Sequence, residues 1–174
     1  TYDECVEFIT SELASAARHL PDKRDMLEIV RPSKGAALAL RARVFLYAAS
    51  PLMNGKAPAE VASEMKDNNG NPLLSATYDD SKWAKAAAAA KDVMDLNIYD
   101  LHIAYAKADG DLANPATIEP PYDSNFSDKE WPNWWKDIDP FESYRSLFNG
   151  TLGVFDNKEI IFSRAQNQGG QGIR

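Results

Sequence analysis

Apolar residues along this chain recur mostly at alternating spacings of three and four, the period of a helix with one covered face. Val6, Ile9, Leu13, Ala16 or Ala17 and Leu20 obey it, and Thr1 with Glu4 forms a capping-box pair ahead of them. A first helix is therefore expected to run to Pro21. Residues 22–31 are charged and read as a connection. From 36 to 49 every position except Arg41 and Arg43 is Ala, Leu, Val, Phe or Tyr, which predicts an interior helix covered on almost every side. Ser33 caps its start, and Pro51 with Asn54-Gly55 stops it. Alanines at 36, 37, 39, 42, 48 and 49 let neighbouring helices approach its backbone closely. This helix is the expected hub, forming an antiparallel hairpin with the first. Arg41 and Arg43, if buried, must meet carboxylates or backbone carbonyls of adjacent helices.

Between 55 and 78 the period fails. Residues 59–66 can form a turn or two, and 67–72 are turn chemistry throughout. Asp67, Asn69 and Asn71 imitate a calcium loop, but glycine stands at its fourth place rather than its sixth and Tyr78 where glutamate is needed, so a plain turn is expected. Asp79, Asp80 or Ser81 caps a third helix to Leu96, with Trp83, Ala87, Ala90 and Met94 along its inner face. Residues 101–138 are irregular, broken by Pro115, Pro120, Pro121 and Pro132, yet rich in aromatic side chains. Asp139-Pro140 opens a short helix with Phe141, Tyr144, Leu147 and Phe148 at core spacing, closed by Asn149-Gly150. Residues 159–162 read as a short extended apolar piece. The fold class is all-α: tetratricopeptide-like antiparallel helix pairs with a long irregular aromatic-rich loop. Residues 1–174 are expected to be a single unit within a larger domain, with 101–138 as a loop insertion.

Composition narrows the function. A chain of 174 residues, 44% hydrophobic and 26% charged, has the make-up of an ordinary globular protein, and it holds no apolar window long enough to span a bilayer. A net charge of −7 and a pI near 4.8 repel a polyanion, so nucleic acid is not expected as a partner. Cys5 is the sole cysteine, which excludes an internal disulfide and a multi-cysteine metal site, and it reads as a half-buried helix residue. His19 and His102 are far apart with no third ligand nearby, so neither zinc nor another cofactor is expected.

Trp131, Trp134 and Trp135, with Asn133, Lys136 and Asp137 between and beside them, supply flat apolar surfaces ringed by hydrogen-bonding groups. That combination suits the C–H face and hydroxyls of a sugar. Tyr122 and Arg164 are further candidates for the same glycan site. The alternative is that these aromatics fold back on the helices as a satellite core. Asp137, Asp139 and Glu142, close together in sequence, are the best source of a carboxyl pair for a glycosidase, but no Ser-His-Asp arrangement accompanies them, and the chain is expected not to be an enzyme.

Several local pieces occur in a fixed order: Ala-Ala-x-x-Leu-Pro at 16–21, the run from Lys34 through Val44 into Tyr47-Ala48-Ala49-Ser50-Pro51, Trp83-Ala84-Lys85-Ala86-Ala87 with Ala89-Ala90-Lys91, Tyr99-x-Leu101, Tyr144-x-x-Leu147-Phe148, and 157–162 as Asn-Lys-Glu-Ile-Ile-Phe. In order and spacing, over nearly the whole chain, this set resembles the SusD/RagB family. The resemblance implies an outer-membrane lipoprotein, surface-facing and lipid-anchored outside this chain, which binds glycans or other nutrients and delivers them to a SusC-like TonB-dependent transporter without catalysis. This chain would be its central portion. The family's matching motifs are scaffold, so no binding residue is carried over by the resemblance. A tetratricopeptide-like scaffold that grips a protein partner, with no sugar contact here, is the rival expectation.

Overall fold

The structure, a computed structural model, describes residues 1–25, 28, 30–104, 140–153 and 156–163. Among them it is all-α, with five helices and no strand. The chain divides into two compact units, one of residues 1–99 with 161–163, the other of the described residues between 100 and 160.

In the first unit, α1 (Tyr2–His19) starts on the capping box: Thr1 Oγ1 accepts from Glu4 N–H, and the Glu4 side chain returns to the Thr1 nitrogen. Helix α2 (Lys34–Ala49) starts on Ser33, whose Oγ accepts from Ala36 N–H at 3.3 Å. A short α3 (Ala59–Glu64) follows, then α4 (Ser81–Met94). Helix α2 packs against both α1 and α4. Ion pairs fix the directions: Lys34 at the start of α2 meets Asp22 just beyond α1, Arg41 reaches Asp92 near the end of α4 at 2.9 Å, and Lys82 at the start of α4 meets Asp3 at 2.7 Å. Helices α1 and α4 thus run the same way, with α2 antiparallel to both.

The interior is built from small side chains. Ala37, Ala48 and Ala49 of α2 are buried with Val6 and Ala17 of α1 and Ala86 and Ala89 of α4. Gly35 is buried against Tyr99: a Cβ there would fall 1.9 Å from the tyrosine hydroxyl oxygen. The buried Thr10 hydroxyl is satisfied inside its own helix, donating to Val6 C=O at 2.8 Å.

Two faces differ from expectation. Helix α2 is the hub but is not covered all round, since Leu40, Leu46 and Tyr47 are about half exposed or more and Arg43 is exposed. Its flanks are taken by α1 and α4, and no other helix of the first unit covers the remaining face. Helix α4 turns Lys82, Ala86, Ala89 and Val93 inward, leaving Ala87, Ala90, Met94 and much of Trp83 outside. That is a rotation of one residue, roughly 100°, from the face containing Trp83 and Met94. Alanine on both partners permits the closest helix approach, which the bulky face would prevent. Cys5 is exposed rather than half-buried.

The segment between α2 and α4 is held by Asn54, the largest fully buried side chain among the described residues. Its Nδ2 donates to Asp79 C=O and its Oδ1 accepts from Asp79 N–H, both at 2.9 Å. Gly55 adopts φ +68°, and a Cβ there would lie 2.2 Å from the Thr77 backbone, so only glycine fits. Residues 67–71 form the expected turn. Asp67 Oδ1 accepts from Asn69 and Asn71 N–H, both at 2.8 Å, and Oδ2 accepts from Asn71 Nδ2 at 2.9 Å.

Candidate functional site

Trp131, Trp134, Trp135, Tyr122, Asn133 and Arg164 lie outside the described residues. The nearest described chemistry of the same kind sits in the second unit, on α5 (Pro140–Ser146). Proline at the first helical position needs no N–H partner there. Thereafter the helix inverts the usual order of apolar inside and polar outside. Ser146 is buried, and its hydroxyl donates to Glu142 C=O at 2.7 Å. Ser143 Oγ accepts from Ala104 N–H at 2.9 Å. The serines can turn inward because their hydroxyls are satisfied by backbone groups.

The opposite face carries Phe141 and Tyr144, exposed by 43% and 69%, and Phe148 in the turn just after the helix continues it, exposed by 65%. Together with Leu147, which is partly buried, these were the residues expected to form a core. The Tyr144 and Phe148 rings lie 5.0 Å apart between centroids, tilted by 53°, a favoured arrangement for an aromatic pair. Arg145, on the same side, is paired with Glu142 at 2.7 Å. The result is an exposed strip of ring surface with a guanidinium at its edge, able to stack on a flat apolar ligand face and to donate hydrogen bonds beside it. Nothing in the sequence marked these rings as outward, because aromatic residues at helical spacing read the same whichever way they face.

Elsewhere in the second unit the described residues are joined by satisfied polar contacts. Glu159 Oε1 accepts from His102 N–H at 2.8 Å, the buried Asn157 Oδ1 accepts from Glu159 N–H at 3.0 Å, and Asp100 N–H donates to Lys158 C=O at 3.3 Å. Residues 159–162, expected to be extended, begin in a turn, and Phe162 is half exposed.

No group of three or more His, Cys, Asp or Glu side chains capable of holding a metal ion occurs among the described residues. No described helix is long and apolar enough to cross a membrane. Three described carboxyls sit below their ordinary pKa: Glu4, held down by hydrogen bonds from the Thr1 nitrogen and hydroxyl, and two in turns. Asp67 is held below the ordinary carboxylate value by its hydrogen bonds from Asn71 and Asn69. Asp79 is lowered by the Ser81 hydroxyl and N–H, with Lys85 and Lys82 adding attraction. These last two belong to turns rather than to a reaction centre.

The chain as a whole is similar to a solved structure. BT4246, a protein of Bacteroides thetaiotaomicron, matches 95% of this chain with a TM-score of 0.62 and 29% sequence identity. A selenomethionine form of BT4246 matches 92% with a TM-score of 0.58, again at 29% identity. The chain spans only about a quarter of the length of these proteins, 27% and 26% respectively. No family model matches the chain, and no curated protein does.

Proposed function

We propose that this chain is the helical part of a non-catalytic glycan-binding protein of SusD/RagB type, which captures glycans or other nutrients at the bacterial outer membrane and passes them to a SusC-like TonB-dependent transporter. The ordered motif set from Ala16 to Phe162 supports the reading, as does similarity to a Bacteroides protein over nearly the whole chain. The observation that carries the binding role is the outward aromatic face of α5, where Tyr144 and Phe148 offer ring surface to solvent and Ser146 takes the buried position. A protein that places rings outside and serine inside forgoes burial worth roughly 1.5–3 kcal/mol per large side chain, a cost that ligand contact on those rings offsets.

Titration calorimetry of a glycan panel tests this. Tyr144→Ala and Phe148→Ala should each weaken binding by roughly two- to tenfold with an unchanged circular dichroism spectrum. The Trp131→Ala, Trp134→Ala and Trp135→Ala variants run beside them, to divide the contact between α5 and the 101–138 segment. A panel with no ligand, or a ligand whose affinity none of the five variants changes, rejects the reading. The rival role, a scaffold gripping a protein partner, draws on the uncovered face of α2 with Leu40, Leu46 and Tyr47. Loss of transporter capture in Tyr47→Ala, in a protein that binds no glycan, would favour it.

A further inference from the structure

The sequence contains three Asn-Gly pairs, Asn54-Gly55, Asn69-Gly70 and Asn149-Gly150, and all three glycines have positive φ. Asn-Gly is the pair most prone to spontaneous deamidation, because an unhindered glycine nitrogen can attack the preceding side-chain amide. The structure treats the three very differently, and we propose that Asn149-Gly150 is a built-in deamidation site while Asn54-Gly55 is protected.

In the reaction the Gly150 nitrogen, losing its proton to solvent base, bonds to Asn149 Cγ. The Cγ–Nδ2 bond breaks and ammonia leaves, closing a succinimide ring. Water then opens either ring carbonyl, giving aspartate or isoaspartate. Asn149 is exposed and sits just past α5. Its Oδ1 accepts from Thr151 N–H at 2.9 Å, so a donor already faces the oxygen on which negative charge builds as Cγ becomes tetrahedral. Among the described residues no hydrogen bond ties the Gly150 nitrogen, and a Cβ placed on Gly150 would meet none of their atoms within 4 Å, so the ring has room to close.

At Asn54 a donor also faces the side-chain oxygen, but exposure and room for the ring are both reversed. The side chain is wholly buried, its amide is engaged at both ends by Asp79, and Gly55 lies hard against the Thr77 and Tyr78 backbone. Reaction there must wait for local opening. Asn69-Gly70 is intermediate: Asn69 is exposed, but Gly70 N–H is engaged by Asp67 C=O at 3.0 Å and must release that bond before attacking.

The product places a carboxylate one residue beyond Phe148, at the C-terminal end of α5. A negative charge there opposes the helix dipole and lies next to Phe148 of the exposed ring strip, so the modification ages the segment that displays these aromatics.

The test is peptide-resolved mass spectrometry of the intact protein aged at mildly alkaline pH, with a sample unfolded in guanidinium aged alongside. Enzymatic methylation of isoaspartate serves as the second readout. Dividing each folded rate by its unfolded rate removes any intrinsic difference between the pairs. Protection at Asn54 should exceed that at Asn149 by on the order of tenfold or more, with Asn69 between them. A ratio near one, or faster loss at Asn54 than at Asn149, overturns the proposal.

Discussion

Replacing Asn54 by alanine is the sharpest test of how the first unit is held together. Its side chain ties the end of α2 to Asp79 on the approach to α4 by two hydrogen bonds, beside a backbone bridge between Asn54 and Ser75. Two bonds of ordinary length are lost, each worth about 1 kcal/mol net. Asp79 is exposed, so its freed N–H and C=O reach water and avoid the larger penalty of stranded groups. The expected loss is therefore about 2 kcal/mol, a fall in Tm of roughly 4–8 °C for a chain of this size. Chemical denaturation followed by circular dichroism measures it, with Asn69→Ala as a control at an exposed turn position, where less than about 0.5 kcal/mol should be lost. Asn54→Asp refines the test: its carboxylate still accepts from Asp79 N–H but faces Asp79 C=O with no donor. That variant should be less stable than Asn54→Ala at neutral pH, with the deficit narrowing in acid as a protonated carboxyl regains a donor. A loss below about 0.5 kcal/mol in Asn54→Ala, or an Asn54→Asp variant as stable as the native protein, would refute the clasp.

Gly35→Ala drives a methyl group into the Tyr99 ring and should cost about 1–3 kcal/mol, with Tyr99→Ala in the same chain removing most of the coupling in a double-mutant cycle. Arg41→Met removes the ion pair with Asp92 and the guanidinium 5.1 Å above the Phe45 ring; with Asp92 half exposed, about 1 kcal/mol is expected, and the part due to the ion pair should shrink as salt is added. Asp67 has a folded pKa below its ordinary value of 3.8, so the native state binds fewer protons there than the unfolded one. Its contribution is complete above pH 3.8 and disappears as pH falls through the lower folded value. Carbon-detected NMR titration should find the Asp67 carboxyl titrating below an unstructured aspartate, and a midpoint at or above the ordinary value would contradict the turn.

What could be read from the sequence follows the range of each interaction. The capping box at Thr1 and Glu4, the Ser33 cap and the turn around Asp67 involve partners within four positions, and each was legible. The hub role of the second helix was also legible, because six alanines amid leucine and valine have few other uses. The rotation of α4 was not. Residues 86–90 are all alanine, so no hydrophobic asymmetry fixes the inner face, and the bulk of Trp83 and Met94 pointed to the wrong one. The pairing of Lys82 with Asp3 and of Asp92 with Arg41 sets the rotation instead, and both partners are remote in sequence. Asn54 was read only as a helix stop because its partner lies 25 positions on. On α5 the aromatic spacing was correct and its direction was not, since Ser143 and Ser146 gave no hint that backbone groups would satisfy them inside. The tryptophan site expected at 131–135 falls outside the described residues.

Because α1 and α4 run alongside α2 in the same sense, their N-terminal ends share one edge of the first unit. Each helix carries roughly half a positive charge there, and two such ends side by side repel. Asp3 and Glu4 in the first turn of α1, with Asp79 and Asp80 leading into α4, stand where they oppose that repulsion, and Lys82 is bound to Asp3 between them. The integrity of this border therefore depends on ionised carboxylates. Amides in place of Asp3 and Asp80 would remove that counter-charge and leave two like poles facing one another, loosening the first unit at the edge where its two outer helices start.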